Sequence, residues 1–463
     1  MRTCRLVTLG CKVNQYETQL VKEALEQSGW REAGLGEPAD LCVVNTCTVT
    51  REGDAKSRQT VRRLHQEQPG AAVVVMGCYA TRDPEAVRRL PGVAQVITDK
   101  QQLPVELKRW GVLKMPSRIG RFDGHQRAFV KVQDGCLLRC AFCIIPSVRP
   151  VLRSRPIDEI RDEVAQLVAG GYQEVVLTGV HLGHYGIDLS KGRRKADWSR
   201  LWHLVRELDA LPGDFRIRLS SLEGAEARDD LIAALSESRR VVPHLHLCLQ
   251  SGSDRILARM KRRYRRAGFR ERVARIRRAL DRPAFTTDTI VGFPGETEAD
   301  FEETVRLARE IGFCKMHVFS YSTRQGTEAA GFADVIPPAV IHERRERLLA
   351  LERELAAAYA RSLIGETLDV MVEGEDPARA GCCVGTSCRA LTVSLPGYGP
   401  ALVGKRVEVR VEGNRGETLF GSPVPINDSG RLYDEGYRRR RRDETGGALS
   451  ALRTPLPLLL EQR

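Results

Sequence analysis

No stretch of the 463-residue chain is apolar for long enough to cross a bilayer. The N-terminus, MRTCRLVTLGCKVN, lacks the basic-then-apolar layout and the small-residue cleavage site of an export signal, so a cytoplasmic location without a membrane partner is expected. Acidic charge is short as well. Against 73 Lys and Arg stand 60 Asp and Glu, a net charge of +13. That imbalance favours a polyanionic partner, nucleic acid above all, although arginine can also simply solvate a surface. A further shortage is local. In GCLLRCAFCIIP, Gly135 to Pro146, three cysteines fall close together with no fourth nearby, so a four-coordinate metal held here lacks one protein ligand.

What is present describes a globular protein: 42% hydrophobic and 29% charged residues, in a chain long enough for two to four domains. Thirteen cysteines in a reducing compartment point to metal or redox chemistry rather than a disulfide framework. Three N-terminal stretches share one layout: CRLVTLGC ending at Cys11, DLCVVNTC at Cys47 and AAVVVMGC at Cys78. Each is a short apolar run closing on a cysteine, followed by a segment of helical character. Alternating strands and helices predict a parallel sheet, whose ligand site lies beyond the carboxyl ends of the strands. Cys11, Cys47 and Cys78 are therefore expected to converge, whereas Cys4 and Cys42 fall within strands as small core residues. This first domain is expected over 1–115.

The pattern restarts near Arg121. Strand-like AFVKVQ, EVVLTG, FRIRLSS, HLHLCLQ, FTTDTIVGF and KMHVFSY are separated by amphipathic segments, predicting a partial, six-unit TIM-like (β/α) barrel over 122–353. The three-cysteine stretch follows its first strand, at the mouth where barrel sites lie. Beyond a helix-rich stretch, short β-like runs with glycine turns predict a small β-barrel over 356–425. The remainder, 427–463, carries Arg438 to Arg442 and little apolar periodicity, and is expected to be a disordered basic tail.

Cys136, Cys140 and Cys143 have the spacing C-x3-C-x2-C. Three thiolates on one loop suit a cubane iron–sulfur cluster whose fourth iron takes an exchangeable ligand. A structural zinc site would need a fourth ligand, and the nearest histidines, His125 and His181, stand at unpromising spacings. This spacing resembles the radical S-adenosylmethionine (SAM) superfamily, in which SAM chelates the open iron and is cleaved to a 5′-deoxyadenosyl radical. The resemblance implies a SAM pocket that includes Phe142, Gly179, Glu223, Gln250, Ser251, Arg262 of MKRRY, and Gly292 of TIVGFPGET.

With TLGCKVNQYE, VNTCTVT and MGCYAT ahead of it, the chain resembles the radical SAM methylthiotransferases, a likeness extending to about Pro425 and including YSTRQGT. The resemblance implies a second 4Fe-4S cluster on Cys11, Cys47 and Cys78, a first on Cys136, Cys140 and Cys143, and a C-terminal RNA-binding TRAM barrel. It further implies replacement of an unactivated C–H bond by a methylthio group, with electrons from an external donor such as flavodoxin or ferredoxin. LGCKVN looks most like the branch acting at C2 of N6-threonylcarbamoyladenosine, position 37 of tRNA, beside the anticodon. Prenylated adenosine 37, an aspartate of a ribosomal protein, and a non-enzymatic iron–sulfur RNA-binding or redox-sensing role are the competing readings. Cys382, Cys383 and Cys388 match no ligand of the family and are expected to be ordinary thiols.

Overall fold

The valine-rich runs near the N-terminus form the centre of a parallel sheet. In the computed structural model, which describes residues 2–194, 197–377 and 379–424, the strand order is Trp30–Glu32, Arg2–Thr8, Leu41–Thr46, Ala72–Gly77 and Val93–Val96. Every residue of Leu41–Thr46 is buried, because helices cover both faces. Period-two alternation divides its neighbours between two cores. Cys4, Val43, Val74 and Met76 pack with Val21 and Leu25 of the helix Lys12–Gln27. Cys42, Val44, Val73 and Val75 face Val61 and Leu64 of the helix Arg51–Glu67. The latter helix starts where Thr50 accepts a hydrogen bond from the Gly53 amide, with Glu52 and Asp54 in its first turn.

Six parallel strands follow: Ala128–Asp134, Glu174–Gly179, Arg216–Leu219, His244–Cys248, Ala284–Val291 and Lys315–Ser320. The first three and the last three pair as ladders. Hydrogen bonds between Ile217 and the backbone of Arg240 and Val242 join the two sets into one arc. Among the described residues no pairing joins the first strand to the last, so the barrel stays open. The outer edge of Ala128–Asp134 pairs only with the short antiparallel strand Arg153–Ser154, at Gln133 and Asp134; helix Lys12–Gln27 packs against Ala128–Asp134, and Tyr16 enters the same core as Ala128 and Phe129.

The helix Pro338–Arg361 lies against Lys315–Ser320 and continues unbroken through 353–356, where a domain boundary was expected. A closed five-stranded barrel follows, ordered Thr367–Glu375, Cys382–Ser387, Thr392–Pro396, Thr418–Pro423, Arg406–Arg415. The strand Cys382–Ser387 lies where glycine, serine and paired cysteines concealed it from a propensity reading. Within this barrel Cys383 is core, while Cys382 and Cys388 are half-buried. Its attachment to the central arc is polar. Fully buried Glu174 accepts from Arg218 Nε at 2.7 Å, and Arg218 and Arg216 extend to the carbonyls of Ser387, Asp369 and Thr386 at 2.7–2.9 Å. The expected tail, including Arg438 to Arg442, lies outside the described residues. No helix among the described residues is long and apolar enough to cross a membrane.

Candidate functional site

The loop carrying Cys136, Cys140 and Cys143 leaves the carboxyl end of the first arc strand through a forced turn. Gly135 has φ +75°, and a Cβ there would lie 2.0 Å from the Val151 carbonyl oxygen. Gln133 Nε2 donates to the carbonyls of Asp134 and Gly135, at 2.7 and 2.6 Å, and Gly179 gives its side chain room. Arg262 donates to Cys140 Sγ at 3.2 Å, and His181 Nδ1 stands 3.3 Å from Cys136 Sγ. Burial pushes the Cys143 thiol up to about 12, and raises Cys140 despite Arg262; the three thiols feel one another's charge. Cys140 and Cys143 therefore stay neutral until a metal displaces their protons.

The second triad is assembled rather than local. Cys11, Cys47 and Cys78 stand just past the ends of three adjacent strands. Cys11 caps the helix Lys12–Gln27, and Cys78 opens the short helix Cys78–Arg82. Gly77, at φ +99°, lets that turn press on its neighbour: a Cβ would lie 2.4 Å from the Thr46 amide nitrogen. Asn14 ties the edge together, donating to the Leu9 and Thr46 carbonyls at 2.8 and 3.0 Å. Burial raises the Cys47 thiol, with Cys78 and Cys11 adding like charge. Three thiols converge here too. In both places the donor set, three soft thiols with a neighbouring arginine, fits an iron–sulfur cluster with one position left to an outside ligand.

Arg149 reaches the second triad from the segment that follows the first. It follows Cys143 by six residues and is buried, donating from Nε to Cys78 Sγ at 3.4 Å and from Nη2 to Asn14 Oδ1 at 2.9 Å. Its Nη1 reaches Glu17 and Asp134 at 2.9 and 2.7 Å. Buried Glu17 also pairs with Lys131 and Lys100; burial opposes its ionisation, but these three cations hold the carboxyl well below its usual range. A second clasp comes from Arg324 of YSTRQGT, whose guanidinium donates to Asp54 Oδ2 and Thr48 Oγ1, both at 2.9 Å, directly behind Cys47. Sequence reasoning passed over Arg149, although an arginine so soon after a cysteine motif was a usable signal.

The residues expected around SAM separate into two groups. Glu223 is buried with Oε1 lacking a hydrogen-bond partner, 3.4 Å from Nη2 of the Arg262 whose Nη1 donates to Cys140. Phe142 is half-buried against Met260 and Phe293. Gln250 holds a left-handed backbone, φ +62°, at the strand mouth, where its amide and carbonyl join Asp288 and Ile290. Ser251, by contrast, is turned inside toward Thr304 Oγ1 and the Ser253 amide. Gly292 makes room for Ile341 of the long helix, a packing role.

His181, whose spacing was unpromising for a zinc ligand, nevertheless reaches the cysteine loop. The strand Glu174–Gly179 delivers it to Cys136, and its other nitrogen is 2.6 Å from Glu226 Oε1. Burial opposes its protonation, yet Cys136 and Glu226 outweigh that and push it up to about 9. A protonated imidazole donates to the thiolate and steadies it from outside the coordination sphere. Ligand atoms of Cys136, His181 and His184 do lie within 4.8 Å of one another, but Cys140 and Cys143 stand outside that group. His125 packs against Phe122 instead. The arginine-dense stretch 259–278, a candidate phosphate track, is largely engaged within the chain: Arg259 with Asp334, Arg270 with Glu310, Arg275 with Asp229.

Three family models match the chain: the Radical SAM superfamily over residues 130–308, the Uncharacterized protein family UPF0004 over 3–99, and the TRAM domain over 361–424. The chain is 38% identical to the threonylcarbamoyladenosine tRNA methylthiotransferase MtaB of Chlamydia pneumoniae, over 91% of this chain and 98% of that protein. It is 37% identical to the MtaB of Bacillus subtilis (strain 168), over 89% and 94%. The tRNA-2-methylthio-N(6)-dimethylallyladenosine synthase of a Nocardioides strain is also 38% identical, over 98% and 93%. Overall identity therefore does not separate the two kinds of relative. Among solved structures, the radical S-adenosylmethionine methyltransferase TsrM from Kitasatospora setae aligns with a TM-score of 0.51 at 14% identity, covering 69% of this chain and 73% of that one, a likeness of fold.

Proposed function

Because the chain belongs to the radical SAM methylthiotransferases, we propose that it places a methylthio group on C2 of N6-threonylcarbamoyladenosine at position 37 of tRNA. The observation that carries this reading is the pair of cysteine triads, with Arg149, six residues past Cys143, donating to Cys78 of the other triad and to Asp134 at the end of the first arc strand. When bound, a cluster with SAM at Cys136, Cys140 and Cys143 supplies the hydrogen-abstracting radical, and a cluster at Cys11, Cys47 and Cys78 supplies the sulfur.

The remaining work falls to the chain itself. Arg262 and protonated His181 donate toward Cys140 and Cys136, stabilising thiolate character in a buried loop. Glu223, whose Oε1 accepts no hydrogen bond although Arg262 stands 3.4 Å away, offers an acceptor to the amino or ribose groups of SAM. Arg149, Glu17 and Arg324 fix the N-terminal domain against the arc, so that a substrate carbon activated on one side meets sulfur on the other before water does. The terminal barrel would grip the anticodon arm, and electrons would come from an external donor such as flavodoxin or ferredoxin.

The test is expression in a bacterium lacking its own methylthiotransferases, followed by mass spectrometry of digested tRNA nucleosides. The expected product is 2-methylthio-threonylcarbamoyladenosine. The prenyl-adenosine reading is kept as the second, because a dimethylallyladenosine synthase is equally identical to the chain. A methylthio group on that nucleoside would move the chain to the other branch while preserving the chemistry. Unchanged tRNA alongside soluble, iron-loaded protein would oppose both.

A further inference from the structure

The inward face of the arc's last three strands carries polar side chains. Leu245, Leu247, Phe285 and Met316 point outward into the core beneath the helices. By the alternation of strands, His246, Asp288 and His317 point inward. His246 Nε2 lies 3.4 Å from Asp288 Oδ2, its ring centroid is 5.9 Å from that of His317, and Asp288 and His317 are register partners. On the same face Phe319 is 46% exposed. Into this space reaches Lys12, from the first turn of the helix that covers the arc's open edge. Its ammonium is 5.9 Å from the centroid of the Phe129 ring and within Coulombic reach of Arg127, Arg218, Asp288 and His317; the two arginines are themselves paired with Glu174 and Glu373. Lys12 is solvent-exposed although protein surrounds most of it, which is how a long side chain lines a concavity. Among the described residues its ammonium forms no ion pair or hydrogen bond, whereas Lys131 and Lys315 each have carboxylate partners.

We propose that Lys12 is the cation that receives the carboxylate of the threonylcarbamoyl substituent, and that with His246, Asp288 and His317 it selects this substrate over a prenylated one. The proposal rests on the methylthiotransferase reading above. Lys12 follows Cys11 directly, so a purine whose C2 approaches that triad brings its N6 substituent within reach of the side chain. A prenyl group is apolar, and burying it against a lysine, two histidines and an aspartate strips those groups of water without replacing the lost hydrogen bonds. A threonylcarbamoyl group carries a carboxylate, a hydroxyl and ureido N–H groups that match such a wall. Asp288, beside His246, is suited to accept from the hydroxyl or an N–H, which leaves the carboxylate to Lys12.

The measurement uses the cluster-loaded protein and anticodon stem-loop RNAs that differ only at position 37: adenosine, N6-threonylcarbamoyladenosine, and its neutral carboxamide analogue. The wild type is expected to bind the carboxylate form about tenfold to a hundredfold more tightly than the carboxamide, the range of one charge-assisted contact. Lys12→Gln, with iron content checked at the wild-type level, should bind both alike, and Lys12→Arg should restore the preference. A Lys12→Gln protein that keeps the preference overturns the proposal. So does equal weakening toward all three RNAs, which would assign Lys12 to the phosphate backbone, and so does loss of SAM affinity alone, which would assign it to the SAM carboxylate. Wild-type protein that treats threonylcarbamoyladenosine and adenosine alike would instead defeat the underlying choice of substrate.

Discussion

The two cysteine triads reach similar donor sets by opposite routes. Cys136, Cys140 and Cys143 are neighbours in sequence, and one loop after one strand holds them together. Cys11, Cys47 and Cys78 come from separate strand ends and meet only because Arg2–Thr8, Leu41–Thr46 and Ala72–Gly77 are adjacent in the sheet. A local motif survives loosening of the surrounding domain better than one that depends on register, since shifting a strand by one residue turns its side chains over. The comparison therefore predicts unequal fragility.

The largest effects should separate the two chemistries. Cys140→Ala is expected to abolish reductive SAM cleavage, while Cys47→Ala should retain cleavage and lose sulfur insertion. Each should load about four of the roughly eight irons of the wild type after anaerobic reconstitution. Deoxyadenosine and modified nucleoside, measured in parallel, decide it; a Cys47→Ala enzyme that still inserts sulfur would remove the N-terminal triad from the mechanism.

Next come the turns. Gly77→Ala introduces a Cβ at 2.4 Å from Thr46 backbone together with an unfavourable φ, more than the roughly 1–3 kcal/mol of a strained residue alone. The N-terminal cluster should be lost selectively, about four irons remaining. Gly135→Ala, pressing on Val151, should do the reverse. Loss of all iron from both variants would mean that the sites are not independently built.

A smaller effect is expected between the domains. Glu17→Ala leaves Arg149, Lys131 and Lys100 to share the single carboxylate of Asp134 in a largely buried place, a cost of about 3–5 kcal/mol by chemical denaturation. Acid tests the same clasp in the apoprotein. Asp134 is opposed by burial, but Lys131 and Arg149 outweigh it and hold its carboxyl at about 2. A carboxyl lowered on folding contributes its full stabilisation above its unfolded value, about 4, and that contribution fades as pH falls toward 2. At the small end, Arg270→Ala removes an exposed pairing with Glu310 and should change stability by no more than about 0.5 kcal/mol.

How far the sequence could be read follows the same division. The loop triad, the six arc strands and the sheet that gathers Cys11, Cys47 and Cys78 all followed from spacing and period, because each is a local pattern repeated. The contacts between domains did not. Nothing near Arg149 announces that it faces Cys78, and nothing in YSTRQGT says that Arg324 docks behind Cys47, since partners distant in the chain are set by topology. His181 was set aside on spacing alone, yet a strand end carries it to Cys136. Ser251 and Gly292 illustrate the converse: small residues at strand mouths suggested a ligand, and packing against Thr304 and Ile341 occupies them.

The cover that helix Lys12–Gln27 gives the strand Ala128–Asp134 has a consequence for anyone cutting the molecule into parts. A bare parallel strand offers an unpaired ladder to whatever chain it meets. Excising the N-terminal domain would bare the part of that edge that Arg153–Ser154 leaves unpaired, expose apolar surface around Phe129, take Glu17 from Arg149 and the Tyr16 hydroxyl from Arg155, and leave Arg324 without Asp54. The product would be an aggregating fragment rather than a minimal radical enzyme. The first hundred residues are thus as much the wall of the central catalytic module as a domain of their own, and swapping them between relatives should succeed only when the matching edge strand travels with them.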